Sequence, residues 1–167
     1  MKLALAQLEI RGSDVAGNVQ RAVDAIERAA DRHADLVVLP EIFTVGYFAF
    51  ESYARAAEPL HGETLSRIAD VAERRDVAVL AGSVVEDLAA SREAGFETPA
   101  AEGYANTAVF LDRSGERRAV YRKHHLFGYD SAETDLLTAG ERVETVDFGG
   151  FTVGTTTCYD LRFPELY

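Results

Sequence analysis

Asp35-Leu36-Val37-Val38-Leu39-Pro40-Glu41 is the stretch on which the fold turns. Its apolar core is unbroken, too short for a helix, and stopped by a proline, so residues 35–39 read as a buried strand. Outward from it the pattern alternates. Upstream, Val15, Val19, Ala22, Val23, Ile26 and Ala30 recur at helical spacing over residues 14–32, with Ser13 as the expected N-cap. Residues 2–8 read as a first strand. Downstream, Leu65, Ile68, Ala69 and Ala72 mark a helix over 63–75, and residues 77–85 form a near-continuous apolar strand. Repeated strand-helix-strand units predict an α/β chain with parallel strands. Glu41 then falls at the carboxyl end of a strand, where open α/β sheets hold their ligands.

The second half changes character. Residues 86–103 are rich in Ala, Glu and Gly and contain Pro99, which predicts an exposed, mobile insertion. Residues 105–111 and 117–122 form a hairpin around Asp112-Arg113-Ser114-Gly115, and 143–147 and 151–157 form another around Gly149-Gly150. Hairpins added to strand-helix-strand units make the sheet mixed, α+β in its second half. Lys123 lies just past the strand at 117–122. Cys158, the single cysteine, lies just past the strand at 151–157, with Pro164 and Glu165 suited to the first turn of a helix. A thiol at such a turn is expected to be exposed and to have a lowered pKa. A carboxylate, an ammonium and a thiol thus each follow a strand. The carboxylate can take the thiol proton, and the ammonium can stabilise an oxyanion. The plain alternatives are a buried apolar cysteine and solvated surface charges. Tyr47, Phe48 and Phe50, after Gly46, either line a pocket entrance or anchor their own loop.

Three motifs taken together resemble the nitrilase, or carbon–nitrogen hydrolase, superfamily. They are Leu39-Pro40-Glu41, Tyr121-Arg122-Lys123-His124-His125-Leu126-Phe127 and Cys158-Tyr159-Asp160-Leu161-Arg162-Phe163-Pro164-Glu165. Ala4-Leu5-Ala6-Gln7, Ala81-Gly82-Ser83 and Ala105-Asn106-Thr107-Ala108 support the match, which runs from Leu3 to Tyr167. The resemblance implies a Glu41, Lys123, Cys158 triad. It also implies a second glutamate at Glu133 with Gly140 seven residues on, an oxyanion donor in the Tyr159 backbone N–H, and His125 packed near the site. The fold it implies is a four-layer α-β-β-α sandwich of two sheets with helices outside. On that pattern, residues 1–167 are the N-terminal part of one hydrolase domain, with the C-terminal part missing and an apolar sheet face left exposed.

The motif wording is closest to amidase branches, including ω-amidases of dicarboxylate monoamides. The implied reaction is hydrolysis of a small aliphatic or ω-amide by water through a cysteine thioester, with ammonia released and no cofactor. Arg162 and Tyr47 are substrate-contact candidates, and a homo-oligomer is implied for the full domain. Carbamoyl or nitrile hydrolysis, or an inactive dimerising remnant, are the alternatives. His124-His125 with Asp130 lacks further ligands at metal spacing, and no Gly-Lys-Ser follows Gly149-Gly150, so neither a metal nor a phosphate loop is expected.

At 167 residues and 47% hydrophobic content the chain fits one globular domain. No apolar run approaches a membrane span, the N-terminus is too short for a signal peptide, and a single cysteine allows no internal disulfide, so a cytoplasmic protein is expected. The net charge of −11 argues against nucleic acid or an anionic membrane as partner. Lys2 and Lys123 are the only lysines among 17 basic residues. An acidic, lysine-poor chain fits a high-salt cytoplasm, where self-repulsion is screened. A genome that favours arginine codons gives the same bias without any salt dependence. The halophilic reading predicts loss of far-UV circular dichroism on dilution out of molar KCl; a signal unchanged in dilute buffer contradicts it.

Overall fold

The computed structural model describes residues 1–167. Chain order is β1 (Leu3–Leu5), α1 (Val15–Asp31), β2 (Leu36–Val38), α2 (Tyr53–Ala56), α3 (Glu63–Arg75), β3 (Ala78–Asp87), α4 (Leu88–Glu93), β4 (Tyr104–Leu111), β5 (Arg117–Arg122), α5 (Glu133–Leu136), β6 (Thr145–Phe148) and β7 (Phe151–Gly154). Five strands form one sheet in the order β1-β2-β3-β4-β5, and β6-β7 is a separate hairpin. The first three strands are parallel and the last two antiparallel. This is the mixed α/β sheet the patterning predicts. No helix is long and apolar enough to cross a membrane.

The pleat sorts the side chains. Val37, Val79, Ala81, Val109 and Leu111 face one way and pack with Val19, Val23 and Ile26 of α1 and Leu65, Ile68 and Val71 of α3. Leu36, Ala78, Phe110 and Ala119 face the other way and meet Val146, Phe148 and Val153 of the hairpin. Phe110 and Phe148 pack edge to face at 5.4 Å. At the far edge of the sheet the hairpin turn at Gly149 comes up against Met1 but leaves β1 open. Leu3 and Leu5, in register with Leu36 and Val38, stand 50% and 75% exposed.

Four local expectations need correction. The N-cap of α1 is Asp14, which accepts from the Gly17 N–H at 3.1 Å; Ser13 instead takes φ +63° and hydrogen-bonds Ser52 at 2.5 Å. The strand expected over residues 2–8 is regular for only three residues. Residues 86–103 are not a loose insertion. β3 runs on to Asp87, whose side chain caps α4, while Leu88 and Ser91 are buried and Ser91 Oγ accepts from the Leu60 N–H at 3.0 Å. The charge at Glu86 hides this continuation. Glu86 is fully buried, and Arg122 neutralises it with two hydrogen bonds of 2.7 and 2.8 Å. Finally, the helix expected after Cys158 is two short 3₁₀ turns, Cys158–Arg162 and Pro164–Leu166.

Two close backbone approaches fix the ends of the central strands. A bulge in β3 between Ala81 and Val84 presses against the segment after β2. A Cβ on Gly82 would lie 2.0 Å from the Leu39 carbonyl oxygen, so only glycine fits there. Ser83 completes the clamp: its N–H donates to Pro40 O, its Oγ accepts from the Ile42 N–H, and its carbonyl accepts from the Phe43 N–H. At the end of β5, the Gly140 N–H donates to Lys123 O at 2.9 Å, and a Cβ on Gly140 would lie 2.1 Å from Arg122 O. Glu41 and Lys123 are therefore held by main chain on both sides.

Candidate active site

Lys123 is fully buried, yet it is a cation on a chain that otherwise keeps a single lysine. Its Nζ donates to Glu41 Oε1 at 2.9 Å and to Glu133 Oε1 and Oε2 at 3.0 and 2.9 Å. Burial pushes the ammonium toward neutrality, but the charges and acceptor oxygens of Glu41 and Glu133 outweigh it, so its pKa lies above the ordinary lysine value. A raised lysine pKa stabilises the fold below the unfolded value of 10.5, and that contribution is lost as pH rises through the folded value.

Glu133, also fully buried, opens α5 and is saturated with donors. Besides Lys123 it accepts from the Phe127 N–H at 2.7 Å, the Tyr47 hydroxyl at 3.2 Å and Asn106 Nδ2 at 3.1 Å. Asn106 Nδ2 also donates to Glu41 Oε1 at 2.8 Å. The Tyr47 ring lies 5.5 Å from Lys123 Nζ, and its hydroxyl also meets Ser131 Oγ at 3.1 Å. Tyr47 thus lines this charge cluster with its hydroxyl engaged by Glu133 and Ser131. Of its neighbours, Phe50 packs edge to face on Tyr53 at 5.4 Å and anchors the loop, while Phe48 stands 80% exposed.

Cys158 faces this cluster from the first 3₁₀ turn, exposed and with φ +52°. Its pKa runs opposite to the expectation. Partial burial and the negative charge of Glu41 push the thiol up, and Lys123 offsets this only in part. A five-residue 3₁₀ turn offers little of the dipole that a longer helix would bring to bear. The surroundings therefore work against the thiolate, with a carboxylate beside the thiol.

Asp160 ties the cysteine turn to the lysine segment. It is fully buried and accepts from the Tyr121 hydroxyl at 2.6 Å, the Thr157 N–H at 3.0 Å, and both the N–H and Nδ1 of His125 at 2.9 Å. Burial pushes its carboxyl up, but these donors prevail and hold it below the usual carboxylate value. His125 stacks on Phe163 at 3.5 Å, and Tyr159 packs edge-on against Phe127 and Phe163. Asp160 caps its turn in a capping box with Thr157, whereas Arg162 and Glu165 form no ion pair and stand exposed. The Tyr159 N–H lies in the first turn of the 3₁₀ segment, where backbone donors have no partner within the helix.

Glu41, Lys123, Glu133, Cys158, Tyr47 and His125 thus converge on one place. Sequence reading gave no role to Asn106, Ser131 or Tyr121. The available signal for Asn106 was a lone amide inside the buried run Tyr104–Leu111. A cavity of about 720 Å³ lies elsewhere, between Phe96–Pro99, β5 and the side chains of Glu141, Arg142 and Glu144. It contains none of the thiol, the buried ammonium or the paired carboxylates. The concentration of buried opposing charge beside Cys158 is the stronger mark of chemistry.

A family model described as carbon-nitrogen hydrolase matches residues 2–167. The 2-oxoglutaramate amidase of Paenarthrobacter nicotinovorans is 36% identical over 138 residues, covering 80% of this chain and 44% of that protein. Omega-amidase NIT2 of Homo sapiens is 34% identical over 171 residues, covering 99% and 57%. Among solved structures, Saccharomyces cerevisiae Nit3, a member of branch 10 of the nitrilase superfamily, superposes with a TM-score of 0.82 at 30% identity over 99% of this chain and 58% of that one. A mutant amidase from Nesterenkonia sp. AN1, carrying acrylamide added at its active-site cysteine, gives 0.79 at 29% identity over 99% and 60%. The chain spans about half the length of the relatives it matches.

The Asp160 network carries its own prediction. Because its carboxyl is held below 3.8, its contribution to stability is present above that pH and is lost as pH falls through the folded value. Asp160→Ala leaves the Tyr121 hydroxyl and the Thr157 N–H buried without an acceptor. It is expected to cost about 3 kcal/mol in urea unfolding at pH 7, and the gap to wild type is expected to narrow as the acid limb is approached. A gap that stays constant down to pH 3 contradicts this account.

Proposed function

The chain belongs to the carbon–nitrogen hydrolase family, and from that premise we propose that it carries the catalytic groups of an amidase that releases ammonia from small amides. The observation that carries the reading is the three-way clamp on Lys123 by Glu41 and Glu133 beside a lone thiol. Glu41 takes the Cys158 proton as sulfur attacks the amide carbon. The developing oxyanion is held by Lys123 and the Tyr159 N–H. As the C–N bond breaks, Glu41 returns the proton to the nitrogen and ammonia leaves a thioester. Glu41 then deprotonates a water that attacks the thioester carbon. The C–S bond breaks, the sulfur regains its proton, and a carboxylic acid departs. Glu133 serves this cycle by keeping Lys123 charged and aimed while Glu41 changes protonation.

For substrate we favour an ω-amide of a dicarboxylate. The names of the relatives support this, since they include a 2-oxoglutaramate amidase and several ω-amidases. Arg162, exposed, unpaired and four residues beyond the thiol, is the charge available for the distal carboxylate.

Ammonia release from a dicarboxylate monoamide is expected to exceed that from a neutral aliphatic amide, an N-carbamoyl amino acid and a nitrile. Cys158→Ala is expected to lower it by at least about a thousandfold, and Arg162→Ala to raise KM for the monoamide alone. Faster turnover of the nitrile, or turnover that survives Cys158→Ala, overturns the reading.

A further inference from the structure

We infer that Asn106 is a positioning residue that fixes which oxygen of Glu41 faces the Cys158 thiol. Glu41 Oε1 is fully engaged, receiving Lys123 Nζ at 2.9 Å and Asn106 Nδ2 at 2.8 Å. Neither of these donors is bonded to Oε2, so Oε2 is the oxygen left to exchange a proton. Lys123 alone would allow the carboxylate to turn about that single contact. A second donor on the same oxygen removes this freedom.

The amide orientation follows from its neighbours. Nδ2 lies between two carboxylates, 2.8 Å from Glu41 Oε1 and 3.1 Å from Glu133 Oε1. Turned over, the amide would point its oxygen at both negative groups. In the orientation present, Oδ1 is buried without a hydrogen-bond partner. A buried carbonyl oxygen left bare is a cost that a purely structural residue at this position has no reason to incur. The structural duty of the position belongs to the main chain instead: the Asn106 carbonyl accepts the Lys123 N–H at 2.9 Å, which any residue can supply. The next residue, Thr107, points to the opposite face of the sheet and hydrogen-bonds Glu86 at 2.7 Å, so the side chain of Asn106 is not needed there either.

The inference rests on Glu41 acting as base to Cys158, and the test separates the two. Cys158 is the only cysteine, so the rate of alkylation by iodoacetamide reads the thiol directly, whether or not the chain turns over an amide. Asn106→Leu, similar in size and without donors, is expected to slow alkylation about fivefold to tenfold at pH 6–7 and to move the acid limb of the profile to higher pH. The two rates are expected to converge at alkaline pH, where the thiol ionises unaided. In a Glu41→Gln background the same substitution is expected to add nothing, because its effect passes through Glu41. Asn106→Ala takes its place if the leucine variant lacks the wild-type circular dichroism spectrum. A profile superimposable on wild type, or an equal loss in both backgrounds, overturns the role of Asn106. Wild-type alkylation in Glu41→Gln alone removes the base assignment and this inference with it.

Discussion

Everything in this site depends on one buried ammonium shared by two carboxylates. Removing Lys123 from water is unfavourable unless each of its hydrogens finds an acceptor, and Glu41 and Glu133 supply three. The cluster still carries one excess negative charge. That excess is spread over neutral donors, Asn106, Tyr47 and the Phe127 N–H, and its reach extends to Cys158, whose thiol is pushed up and not down. A thiol that keeps its proton next to a carboxylate suits chemistry in which the nucleophile is formed only as the substrate is attacked. The ammonium would then meet the oxyanion without first being consumed by a resting thiolate.

The fold delivers these groups by simple means. Successive residues of β4 and of β5 point to opposite faces, so the two strands hold two buried ion clusters back to back. Thr107 and Arg122 serve Glu86 on one face, while Asn106 and Lys123 serve Glu41 and Glu133 on the other. Gly82 and Gly140 let the backbone close in where a side chain would collide with a carbonyl oxygen. Asp160 then joins the thiol turn to β5 through Tyr121 and His125. Glu41, Asn106 and Lys123 are thus set on strands or at strand ends, while Tyr47, Phe127 and Ser131 reach the cluster from loops.

This explains what could be read in advance. Glu41, Lys123 and Cys158 were candidates because each follows an extended run, and it was the resemblance of the three motifs that joined them as a triad. The amphipathic stripes of α1 and α3 were equally plain. Hidden were the pairings across sequence. Arg122 makes Glu86 a core residue from 36 positions away, so a charge that seemed to end β3 does not. The roles of Asn106 and Asp160 were hidden because their partners lie in other segments. The direction of the thiol shift was missed for the same reason: it is set by Glu41, far off in sequence, and not by the turn that carries the cysteine.

The central claim is that Lys123 holds the two carboxylates in place. The direct test is the urea unfolding free energy of Lys123→Met as a function of pH. Removing one partner leaves Glu41 and Glu133 facing each other without a cation, so a loss of about 3–5 kcal/mol at pH 7 is predicted, shrinking at alkaline pH as wild type loses the lysine charge above 10.5. A variant as stable as wild type at pH 7, or one whose deficit does not change with pH, would show that the site does not depend on this charge.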